Sequence, residues 1–242
     1  MKGLVILGLV ILGVYSFFTN VEFRNTVIAG AEQIKNQSVT SSSPTPSNDV
    51  KISEDFNLEK ASVGRSEETI EYFKEVAYGT EFNGGNEVSR WNSDMKIFVS
   101  GDKKDFLMSE LNNIVSELNN IINPIEIYVV DRIEDANYVI YFCDGKTYAD
   151  IEPAVRPYIN SNWGMFAVSG GKVITDGTMY VDVTKCPTIN SQKHLLREEL
   201  TQSLGLKRDS YRYENSIFYQ VWSETTEYSP IDVELIEMLY NY

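Results

Sequence analysis

The sequence carries a single histidine, His194, in 242 residues. A zinc hydrolase gathers two or three imidazoles at one site, so this chain cannot build such a site alone. Cysteine is almost as scarce, with only Cys143 and Cys186. They form no C-x-x-C pair, which excludes a zinc ribbon and a thioredoxin-like redox motif. Basic residues are few: 21 Lys and Arg stand against 35 Asp and Glu, a net charge of -14. No Lys/Arg cluster is present to displace counterions, which excludes nucleic acid as a partner. An anionic membrane surface is disfavoured for the same reason. The acidic excess reads as a solvated surface that keeps the protein soluble.

What the chain does have is one uninterrupted apolar run, Gly3 to Phe18 (GLVILGLVILGVYSFF), preceded by Lys2. The run exceeds a signal-peptide core and falls just short of a full span. No small-residue cleavage pattern follows closely, although Ala29-Gly30-Ala31 has that pattern further on. No Cys follows the run, so lipoprotein processing is excluded. Residues 1–21 are read as an uncleaved signal anchor, with a cleaved signal peptide as the alternative. Either exports the remainder to the periplasm or the extracellular space, and makes the membrane a partner through this segment. Asn36 to Asn48 (NQSVTSSSPTPSN) is a polar Ser/Thr/Pro tract that cannot bury a core. Residues 22–58 are therefore expected to be a flexible linker, and 59–242 one folded domain.

Within that domain the spacing predicts a helix over Glu67 to Tyr78, capped by Ser66 and lined by Ile70, Phe73 and Val76/Ala77. A Gly-rich loop follows at Phe82 to Asn86. A strand is expected at Met95 to Ser100, and an amphipathic helix at Asp105 to Ile122 with Leu107, Leu111, Ile114, Leu118 and Ile121 on one stripe, stopped by Pro124. Strands follow at Ile125 to Val130 and Tyr138 to Cys143, then a short helix around Ala149 to Val155. Met165 to Ser169 and Thr178 to Val183 complete the strands; Ser191 to Leu206 and Asp232 to Tyr240 are the last helices. Strands alternating with helices predict an α/β (α+β) layered domain with a mostly parallel sheet.

Glu198 to Asp209 reads EELTQSLGLKRD. It resembles the metzincin signature H-E-x-x-H-x-x-G-x-x-H, in which two imidazoles at i and i+4 share a helix face and hold zinc. There the intervening Glu activates the bound water, and the Gly ends the helix so that a third ligand can return. Glu198 and Gln202 stand at the first two histidine positions. Glu199 matches the general base, Gly205 matches the helix-ending Gly, and Arg208, with Asp209 beyond it, stands at the third ligand. Tyr228 to Tyr240 (YSPIDVELIEMLY) resembles the final metzincin segment, although the turn Met is absent. Three separated stretches, EYFKEVAYGTEFNGGNEVSRW, EELTQSLGL and SIFYQ, also resemble an uncharacterised domain family of Gram-negative envelope proteins and lipoproteins, domain of unknown function 2927. These resemblances imply a metzincin-like (zincin) fold lacking its zinc histidines. They add an antiparallel edge strand, an active-site-type helix and a small C-terminal subdomain. They also imply a disulfide between Cys143 and Cys186, because the two strands they follow are parallel neighbours in such a sheet; it would contribute about 4 kcal/mol.

The leading expectation is a pseudoenzyme with no cofactor, binding peptide or an envelope component through Glu198, Gln202, Gly205, Arg208 and Asp209. Arg208 is expected to replace the metal with its own charge and pair with Glu198. One alternative is an active, peptidase-like hydrolase, with Glu199 as general base and Glu198, Gln202 and Asp209 holding a hard divalent cation. The other is a purely structural envelope protein. His194, one helical turn before Glu198, is read as a contact to water or Glu198 rather than a metal ligand. The aromatic residues from Tyr211 to Tyr228 are read as packing, with a peptide- or glycan-binding rim as the alternative.

Overall fold

The computed structural model describes residues 55–79 and 87–242. The expected anchor, most of the linker and the Gly-rich loop lie outside them. Among the described residues no helix is long and apolar enough to cross a membrane.

The helices are α1 (Leu58–Ala61), α2 (Glu67–Ala77), α3 (Asp105–Ile121), α4 (Gly145–Ile151), α5 (Ile189–Gln202) and α6 (Pro230–Tyr240). The strands are β1 (Arg90–Trp91), β2 (Met95–Gly101), β3 (Ile127–Val129), β4 (Tyr138–Cys143), β5 (Gly164–Ser169), β6 (Val173–Ile174) and β7 (Asp176–Asp182). Five strands form one sheet in the order β3-β2-β4-β7-β5. All its pairings are parallel except β5 with β7. This is the mostly parallel sheet with an antiparallel edge strand that the sequence predicts.

Alternation along the strands gives the sheet two buried faces. Ile97, Val99, Ile140, Phe142, Met179 and Val181 point into the main core, which the stripes of α2, α3, α5 and α6 complete. Val139, Tyr141, Cys143 and Tyr180 point the other way, onto a smaller cluster with Tyr148 of α4 and Ile159. Ser66 caps α2 as expected, accepting from Thr69 N–H at 3.0 Å. α6 closes the main core, held by the reciprocal bonds of Ser229 and Asp232 at its N-terminus.

Three expectations are corrected, and one strand pair was not foreseen. The short helix lies at Gly145–Ile151, four residues earlier than expected, because the Asp144 side chain caps it. Pro153, which has no N–H to give, opens a separate 3-10 turn after it. The motif helix stops at Gln202 rather than Leu206, since Gly205 adopts φ +130°. The two-residue pair β1 and β6 carries too short a pattern to have been expected. The disulfide is absent: both cysteines are free thiols. Cys143 faces the smaller cluster while Cys186 is buried in the main core, so the sheet separates them. Burial pushes both thiols up to about 12, far from a reactive thiolate.

Candidate functional site

α5 is the element on which the sequence places its site. Thr188 caps it, accepting from Ser191 N–H at 2.9 Å. The Glu224 carboxylate reinforces that end, accepting from Thr188 Oγ1 at 2.9 Å and Ser191 Oγ at 2.6 Å. A carboxylate is favoured there by the helix dipole. The same strap reaches His194, whose Nδ1 donates to the Thr225 carbonyl at 2.7 Å. Trp222 meets the His194 ring edge-on and packs in turn on Trp163. Burial lowers the His194 pKa.

The six motif residues part company from here. Glu198 turns back to His194, with 3.4 Å between its Oε2 and Nε2, as the sequence suggests. Glu199 points elsewhere and is 4% exposed. It lies against Gly164 of β5, where an added Cβ would sit 3.0 Å from Glu199 Oε1. Burial, followed by the charge of Glu199, raises the Tyr180 phenol above its ordinary range. Gln202 is fully buried, and its Nε2 donates to Asp209 Oδ1 at 2.5 Å. Asp209 also accepts from Gln220 Nε2 at 3.4 Å. Gly205 makes the turn that carries the chain from α5 back to Asp209. The Arg208 backbone N–H donates to the Val76 carbonyl at 3.1 Å. The turn directs Asp209 at Gln202.

Zinc does not fit these residues. The three positions that would supply it hold a carboxylate, an amide and a guanidinium, and the last has no lone pair to give. The amide and the following carboxylate are bonded to each other. Among the described residues no three His, Cys, Asp or Glu side chains stand close enough to share a metal.

Sequence reasoning missed two buried features beside the motif. Arg197, 1% exposed, bonds Glu117 at 2.5 Å and Glu110 at 2.9 Å, tying α5 to α3. Its guanidinium also covers the Tyr228 ring at 4.6 Å. Both acids were visible: Glu110 and Glu117 each follow a stripe residue of α3, Leu107 and Ile114, by three. The second feature is Lys207, 6% exposed, whose amine meets Ser89 Oγ.

Among curated proteins none matches this chain. Two solved structures of myroilysin are similar to it. One covers 63% of this chain and 82% of its own at 10% identity, with a TM-score of 0.42. The other covers 70% and 93% at 9% identity, with a TM-score of 0.41. The family described as "Protein of unknown function (DUF2927)" matches residues 66–242, and the chain belongs to that family.

Proposed function

We propose that this chain is a membrane-tethered, extracytoplasmic, metzincin-like domain whose motif helix is non-catalytic, and that it holds an extended peptide of another envelope component along β5. The observation that carries the reading is the 2.5 Å bond from Gln202 to Asp209. It joins the second ligand position of the motif to the residue just beyond the third. A polar pair bonded this way rigidifies the turn and engages the Asp209 carboxylate within the protein.

The edge strand supports the binding half. β5 ends the sheet, and no described strand pairs with its outer side. Asp182 N–H donates to the Trp163 carbonyl at 2.6 Å, and Gly164 stands opposite Val181. Bonded pairs recur every second residue in an antiparallel ladder. Met165, Ala167 and Ser169 therefore bond β7, while the backbone groups of Phe166 and Val168 point outward. Such an edge can accept an added strand.

Val168→Pro removes an outward N–H without touching the ladder. It is expected to cost at most about 1 kcal/mol of stability and to weaken peptide capture at least about tenfold. A panel of extended, proline-free peptides scored by fluorescence anisotropy on the full chain tests this. Capture that survives Val168→Pro unchanged, or no capture by any peptide, would remove the edge-strand reading.

A further inference from the structure

A buried lysine ordinarily has an acid beside it, because an unpaired ammonium is costly to desolvate. Among the described residues Lys207 has none: burial pulls its pKa down to about 8. Its hydrogen-bond partner is the hydroxyl of Ser89, itself 5% exposed.

The fold holds these two groups together from several sides. Gly205 has no side chain, and the Ser89 carbonyl passes 2.0 Å from where its Cβ would be. Trp91 Nε1 donates to the Ser203 carbonyl at 3.1 Å. Tyr240 OH donates to the Leu204 carbonyl at 2.8 Å, and Arg90 donates to Leu239 at 2.7 Å. The segments 89–91 and 203–207 are thus clamped against each other and against α6, with the amine on the hydroxyl. A neutral amine in this position can only accept the hydroxyl proton or donate weakly. A serine beside a lysine that gives up its proton at about pH 8 becomes a nucleophile beside a base as the pH rises through that value.

We propose that Ser89 and Lys207 form a serine–lysine dyad that carries out acyl transfer on small esters or amides. Ser89 Oγ bonds to the acyl carbon as its proton passes to Lys207 Nζ. The tetrahedral intermediate collapses, and the alcohol or amine leaves with that proton. Water then attacks the acyl-serine and gives a proton to Lys207. The second collapse releases the carboxylic acid and returns the proton to Ser89 Oγ. The dyad uses neither Gln202 nor Asp209 nor the edge of β5, so it stands or falls apart from the peptide-binding reading.

The test is intact-mass analysis of the full chain treated with p-nitrophenyl acetate or a small fluorophosphonate, followed by peptide mapping. One adduct per chain on Ser89 is expected, none in Ser89→Ala, and a rate at least about a hundredfold lower in Lys207→Met. Lys207→Arg, which cannot give up its proton, should not restore the rate. The wild-type rate should rise with pH through a midpoint of about 8, the pKa of the base. Absence of a Ser89 adduct at alkaline pH, or labelling of Lys207→Met at the wild-type rate, would overturn the dyad. Should Lys207→Met fail to fold, the wild-type Lys207 titration followed by NMR decides. A midpoint near 8 supports the dyad, and one near the ordinary 10.5 overturns it.

Discussion

Gly205→Ala is expected to destabilise the domain by about 4 kcal/mol or more, or to prevent folding altogether. Two separate costs meet at this residue. Its φ of +130° is a backbone conformation that side chains rarely adopt. Its missing Cβ also leaves room for the Ser89 carbonyl, which would lie 2.0 Å from the added carbon. That neighbour is backbone in a clamped segment, so it cannot swing aside as a side chain would. Gly64 separates the two costs. It also has positive φ, +77°, but open space around its would-be Cβ. Gly64→Ala should therefore cost only about 1 kcal/mol. Urea unfolding of both variants gives the difference, which is the steric share. Equal losses would mean that the approach of Ser89 is unimportant.

The second large effect is expected at Arg197. Arg197→Ala should remove about 3–5 kcal/mol, read from the urea midpoint at unchanged slope. Truncation leaves Glu110, 4% exposed, with Lys193 Nζ at 3.2 Å as its remaining cation among the described residues. It also uncovers the Tyr228 ring. Glu117 loses less, because its side chain is 43% exposed and can turn to water. A buried ion pair is weak evidence of net stability, since removing both partners together can be nearly neutral. Arg197→Met with Glu110→Leu should accordingly be within about 1 kcal/mol of the parent chain. If the double substitution is as harmful as Arg197→Ala, the loss is one of shape rather than of an abandoned charge.

These two residues show what the sequence makes legible. Gly205 was found because a helix-ending glycine has a pattern around it, and the structure gives it that role. Arg197 is adjacent to the same motif and was passed over, because its partners are eighty-odd residues away on α3. The signal existed in Glu110 and Glu117, acids three places after apolar stripe residues, which a helix buries together. Ser66 capping α2 and the stripes of α2 and α3 were local and were read correctly. The free thiols were not legible, since which sheet face a residue meets depends on register rather than on strand proximity. The Gln202 to Asp209 bond was half visible: both residues were flagged, but as ligands of a third body instead of partners to each other. Lys207 gave no warning, since it stands in a charged Lys-Arg-Asp run that reads as solvated surface.

Metal content is the measurement that bears most directly on the non-catalytic reading of α5. The full chain, isolated without chelators and equilibrated with zinc before desalting, should retain far less than one metal ion per molecule. The retained amount should not change on Glu198→Ala or Gln202→Ala, because the motif positions offer zinc no imidazole or thiolate. One zinc per chain, lost in either variant, would contradict that account and return α5 to the metallopeptidases it resembles.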